Sequence, residues 1–228
     1  MNRRLLLFPL LLVVAAVATA AEQPKKKAAA NPAFAAVTDT PGLPRVLLLG
    51  DSISIGYTLD VRAALAGVAN VHRPATNCSS TSHGLAHLEA WLGAGKWDVV
   101  HFNFGIHDAK LPPEGVRHAP LDAYERNLRD LVRRLRATGA KLVFATSTPI
   151  PNGGVLAPDR RFADITSYNA VAAKVMRESG IAVNDLHAAI APKFAQLARA
   201  GDLHYTAEGS ALLAQHVAAS IRAQLTAR

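Results

Sequence analysis

From Arg45 onward the chain alternates short apolar runs with longer stretches whose apolar residues recur every three or four positions. That alternation constrains the fold more than any other feature of the sequence. Arg45-Val-Leu-Leu-Leu-Gly50 is too short for a helix, is closed by Gly50 and suits a strand buried on both faces. Asn70–Arg73, Trp97–Asn103, Lys141–Thr146 and Ile181–Asn184 read the same way. Helical patterns fall near 53–67, 81–93, 121–138, 164–179, 187–200 and 206–226. The clearest is 121–138, where Leu121, Tyr124, Leu128, Leu131, Val132 and Leu135 share one face, arginines take the other, and Gly139 stops the helix. Strand alternating with helix requires right-handed crossovers, which predicts an α/β fold of three layers, α/β/α, around a five-stranded parallel sheet. Ligands of such sheets gather at the carboxyl ends of the strands, so the residues just after each strand carry the functional argument.

The chain before the first strand reads differently. Arg3 and Arg4 precede an apolar run from Leu5 to Ala18, interrupted by Pro9, and Ala18-Thr19-Ala20 matches a small-x-small cleavage pattern. About fourteen residues fall short of the roughly twenty needed to span a bilayer. The expectation is a signal peptide over 1–20, cleaved after Ala20, and hence a periplasmic or secreted protein with no stable membrane span. Residues 21–40, rich in Ala, Pro and Lys and without a period that could bury a face, read as a flexible tether, which leaves 41–228 as the domain. With 50% hydrophobic and 18% charged residues, the chain is too apolar for disorder and large enough for one well-buried core. The formal charge of +8 is not gathered into a basic stripe interleaved with aromatics, so no nucleic-acid partner is expected. Cys78, the single cysteine, excludes an internal disulfide and a cysteine-only zinc site.

Two segments carry chemistry. After the first strand, Gly50-Asp51-Ser52 puts a serine on a strand-to-helix turn, where helix amides favour developing negative charge. An aspartate and a serine there can also be ordinary helix caps. Near the C-terminus, Asp202-Leu203-His204-Tyr205-Thr206 puts a histidine on a loop just before a helix, with Thr206 as its cap. A serine hydroxyl needs a neighbouring base to act as a nucleophile, and an imidazole oriented by a carboxylate meets that need. Asp202, Asp185 or a backbone carbonyl could supply the orienting acceptor.

Gly50-Asp51-Ser52, together with Asp202-x-His204 followed by Thr-x-Glu-Gly, resembles the GDSL or SGNH hydrolase superfamily of serine esterases and lipases, over about residues 45–226. The resemblance implies a flavodoxin-like sheet of order 2-1-3-4-5, Ser52 as nucleophile, His204 as base and no cofactor. It also implies an oxyanion hole built from the amides of Ser52 and Cys78 and one side-chain donor. Cys78 stands where the family has a glycine. The family's Gly-x-Asn-Asp pattern is here Gly105-Ile106-His107-Asp108, so His107 takes the donor's place, with Asn103 as the alternative. The family's acid lies three residues before the histidine, where this chain has Gly201; Asp202 is one residue closer.

Other chemistries are weaker on the same residues. His83 and His87 are four apart, and His101 and His107 flank the third strand's end, but no His-Glu-x-x-His pattern accompanies them and no metal is expected. A Cys78 nucleophile lacks the strand-to-helix position that Ser52 has. The loops Ser147–Pro158 and Ala109–Pro120, rich in Pro or Gly, are expected to select the substrate. The functional expectation is an exported esterase acting on a small acyl ester, acetyl on a carbohydrate above others. The alternatives are a non-catalytic carbohydrate-binding module of the same fold, and an acyltransferase, lysophospholipase or thioesterase.

Overall fold

The computed structural model describes residues 31–111 and 119–227. In chain order the elements are β1 (Arg45–Leu49), α1 (Ser52–Ala64), β2 (Asn70–His72), α2 (Thr81–Leu92), β3 (Val99–Phe102), β4 (Lys110–Leu111), α3 (Leu121–Ala137), β5 (Lys141–Ala145), β6 (Val155–Ala157), β7 (Arg160–Phe162), α4 (Ile165–Glu178), β8 (Ala182–Asn184), α5 (Leu186–Ile190), α6 (Phe194–Leu197) and α7 (Ala207–Thr226). Five strands form one parallel sheet in the order β2-β1-β3-β5-β8, the 2-1-3-4-5 arrangement expected. β1 is flanked on both sides and carries the apolar run Val46–Leu49, all buried. α1, α5 and α7 pack together as one group of helices, and α2, α3 and α4 as another. The apolar stripe of α3 is buried as its periodicity requires, and Gly139 takes a φ of +76° just past its end. Among the described residues no helix is long and apolar enough to cross a membrane.

The fold differs from expectation in three respects. The helix expected over 187–200 is broken at Pro192, which has no N–H and cannot continue it; α5 gives way to a 3-10 turn and the short α6. The two loops expected at 109–120 and 147–158 supply strands instead. β4, β7 and β6 form a small antiparallel sheet, with strands too short to show a period in the sequence. Gly154 makes the hairpin possible: its φ is +89°, and a Cβ there would stand 2.5 Å from the Phe162 carbonyl oxygen. Residues 112–118 of the first loop lie outside the described residues.

The third difference is at the start. Residues 31–40, expected in the tether, are held against the domain. Asn31 caps a 3-10 turn at Pro32–Phe34 that packs on α1 with Ala33 buried. Asp39 pairs with His72 and Arg45, and Thr40 exchanges hydrogen bonds with the Asn70 side chain. Side chains far along the chain thus order a segment whose own composition gives no sign of it. The expected signal peptide and residues 21–30 lie outside the described residues.

Candidate active site

Only Gly50 and Asp51 separate β1 from α1. A Cβ on Gly50 would come within 2.8 Å of the Ser54 side chain, so the tight turn excludes any larger residue. Asp51 is buried and caps the helix, its Oδ1 accepting the Ile53 N–H at 2.9 Å. Capping therefore falls to Asp51, which frees Ser52 for another task. Ser52 opens α1, so its own N–H has no intrahelical partner and lies at the positive end of the helix.

The loop before α7 is a clamp. Ala198 bridges Tyr205, the Arg199 N–H donates to the His204 carbonyl at 2.8 Å, and Gly201, with a φ of +65°, lets the chain reverse. Thr206 caps α7 by accepting the Gly209 N–H at 3.2 Å. This clamp brings His204 Nε2 to 2.8 Å from Ser52 Oγ and His204 Nδ1 to 2.8 Å from Asp202 Oδ2. A carboxylate only accepts, so Nδ1 carries the proton and the Nε2 lone pair receives the serine O–H. The tight reversal is also what allows an acid two residues before the histidine to reach it.

Asp202's other oxygen, Oδ1, accepts the Leu203 N–H at 2.8 Å and an N–H of the Arg160 guanidinium at 2.9 Å. Partial burial pushes this carboxyl's pKa up, but the hydrogen bonds from His204 and the Leu203 amide, with the charges of His204 and Arg160, hold it below the usual range. Asp185 is occupied elsewhere: it caps α5 through the Ala188 N–H at 3.0 Å and accepts the Thr146 hydroxyl at 2.9 Å.

A model of the GDSL-like lipase/acylhydrolase family matches residues 48–212, most of the chain and both ends of the serine–histidine pair. The chain belongs to this family. No curated protein matches it in sequence. Among solved structures it is similar to a lipase/acylhydrolase from Enterococcus faecalis, with 24% identity, 80% of this chain and 97% of that one covered, and a TM-score of 0.68. It is also similar to the acetyl xylan esterase AlAXEase (16% identity, 78% and 99% covered, TM-score 0.66) and to an acetylxylan esterase from Geobacillus stearothermophilus (23%, 78% and 94%, 0.62). At these identities the likeness is one of fold.

The expected GDSL-family oxyanion residues fare unequally. The Cys78 amide is not free: it donates to the Gly50 carbonyl at 3.1 Å. Cys78 is wholly buried, a buried N–H must find an acceptor, and the Gly50–Asp51 turn presents one. Burial also pushes its thiol up to about 11, which leaves it protonated and inert as a nucleophile. The next residue, Ser79, holds a φ of +55° with its N–H on the Asn77 side chain. Asn103 is buried and donates one amide hydrogen to the Ala145 carbonyl at 2.8 Å. His107 is half-buried, its Nδ1 lying 3.3 Å from Ser79 Oγ, and it borders a shallow hollow of about 390 Å³ with Ser79, Ser80, Ser82 and His83.

Two supports of the site play parts that the sequence does not reveal. Arg73, directly after β2, reaches under the Gly50–Asp51 turn and donates to Ser54 Oγ (3.1 Å), Thr58 Oγ1 (2.8 Å) and the Gly50 carbonyl (3.4 Å), with Phe34 against its guanidinium. Asp108, buried beside His107, accepts both the N–H and the hydroxyl of Thr81 and so fastens this turn to the start of α2. Burial pushes its carboxyl up to about 6.

The paired histidines do other things. His87 stacks on Trp91 along α2, and His83 is tilted against both rings. His101 is buried against the Asn184 side chain at 3.2 Å, apart from His107's partner Ser79. Among the described residues no three His, Cys, Asp or Glu side chains converge as metal ligands would. Ser52 and His204 open instead onto a groove of about 470 Å³ between α1 and the start of α7, lined by Ile55, Leu59, Asp60, Arg199 and Ser210 among others.

Proposed function

We propose that this protein hydrolyses a small acyl ester, acetyl on a carbohydrate hydroxyl in particular, through an acyl-enzyme on Ser52. The observation that carries the reading is the 2.8 Å contact between Ser52 Oγ and a His204 ring whose far nitrogen is held by Asp202. In the first step Ser52 Oγ attacks the ester carbonyl as its proton passes to His204 Nε2. The tetrahedral intermediate then collapses, the C–O bond to the alcohol breaks, and the imidazolium returns the proton to the leaving oxygen. In the second step His204 takes a proton from water as its oxygen attacks the acyl-serine carbonyl; the intermediate collapses with cleavage of the bond to Ser52 Oγ, the imidazolium returns the proton to that oxygen, and the carboxylic acid leaves. The Ser52 N–H serves the oxyanion, with His107 or the second amide hydrogen of Asn103, which borders the Gly50 turn, as the side-chain donor.

The mixed lining of the groove, with Asp60, Arg199 and Ser210 among apolar residues, supports a short acyl group and a polar alcohol over a long lipid chain. The acetylxylan esterases among the structural relatives point the same way. Export to the periplasm or medium, inferred from residues 1–20, would bring such an enzyme to polymeric substrates.

Hydrolysis of p-nitrophenyl acetate, butyrate and octanoate, and acetate release from acetylated xylan, test the reading. Acetate is expected to be the best acyl group, with kcat/KM falling about 10³-fold or more in both Ser52→Ala and His204→Ala. Unchanged rates in Ser52→Ala would overturn it.

A further inference from the structure

We propose that Arg160 is a positioning residue for the Ser52–His204 pair: by holding Asp202 Oδ1 it leaves Oδ2 alone to face the imidazole, and so sets the ring's orientation and basicity. This rests on the esterase reading of the pair. Arg160 is the first residue of β7, in the small antiparallel sheet that sequence patterning does not reveal. That sheet is pinned independently of the ion pair. Phe162 is buried in the core, and the Ala163 N–H donates to the Ala109 carbonyl at 2.8 Å. The guanidinium is therefore delivered to Asp202 from a fixed support, and its Nη2 approaches Oδ1 at 2.9 Å.

The pair is too exposed to matter much for stability, with side chains 38% and 26% accessible. Its effect is instead on the carboxylate. Oδ1 takes two donors, Arg160 and the Leu203 N–H, so the carboxylate cannot rotate without losing both. The guanidinium charge also offsets part of the negative charge that would stabilise an imidazolium at His204. Among the described residues, the other charged or titratable groups that line the groove with His204 are Asp60 on α1, and Arg199 and Tyr205 of its own clamp.

Removing the cation should raise the basicity of His204, because Asp202 would then act on it undiluted. In Arg160→Gln the acidic limb of kcat/KM for p-nitrophenyl acetate should move upward by roughly half a pH unit. kcat should drop about three- to tenfold with KM nearly unchanged. Arg160→Lys should bring the limb back. NMR titration of the His204 ring nitrogens, without substrate, should show the same displacement. A limb and a ring titration that stay put in Arg160→Gln would overturn the proposal, whether or not kcat falls. A displaced ring titration in a protein that turns over no ester would uphold the coupling and overturn the esterase reading alone.

Discussion

Asp202 and Asp185 are indistinguishable as acids in the sequence, each near the end of the chain and each beside a histidine. The structure separates them by their partners: Asp202 faces His204, whereas Asp185 caps α5. Asp202→Asn should lower kcat by about 10²- to 10⁴-fold, because an amide can present its N–H to Nδ1 and stabilise the wrong tautomer. Asp185→Ala should leave kcat within a factor of about two and cost about 1 kcal/mol in denaturant unfolding, the ordinary loss of a cap. At this scale the sequence is readable where chemistry is tied to a chain position. Ser52 and His204 stand out because one follows a strand and the other precedes a helix. The Cys78 amide is not readable, since which carbonyl a buried N–H meets depends on how β2's exit lies against the β1–α1 turn.

The elements are legible where they carry an apolar pattern of their own. α3, with its wide apolar stripe, and the five core strands, with their apolar runs, follow from the sequence, whereas β4, β6 and β7 carry no such run and exist only through one another. The 187–200 stretch has helical composition on either side of Pro192, and a pattern of apolar residues does not register a missing N–H. The β2–α2 connection depends on a partner in the same way. Arg73 there spans α1 and the Gly50 turn, so Arg73→Met should destabilise the protein by about 2–3 kcal/mol in denaturant titration, by leaving the Ser54 and Thr58 hydroxyls with fewer partners inside the protein. A cost below about 0.5 kcal/mol would mean that water replaces the guanidinium there.

Across the whole molecule, two buried titrating groups oppose each other. Burial lowers His101 to about 4 from an ordinary 6.5, so the stability it allows is complete above pH 6.5 and is lost as pH falls toward 4, by roughly 3 kcal/mol. Asp108, raised to about 6 from 3.8, acts in the other direction: its contribution is complete below 3.8 and is lost as pH rises through 6. Unfolding free energies at pH 7 and 4.5 should therefore differ little on account of these two groups in the native protein. His101→Gln should be relatively more stable at pH 4.5 than at pH 7, and Asp108→Asn relatively less. His101 also marks a limit of reading from sequence: the expected strand order puts its strand at the centre of the sheet, but not the ring's full burial against Asn184.

Ser52 and His204 are 152 residues apart, and their meeting depends on α1 lying along α7. During synthesis β1 and the serine emerge first, and His204 and its clamp follow only 152 residues later. Until then the serine is an ordinary alcohol. The newborn chain thus carries its reactive group in a dormant form, and chemical competence arrives together with the completed fold.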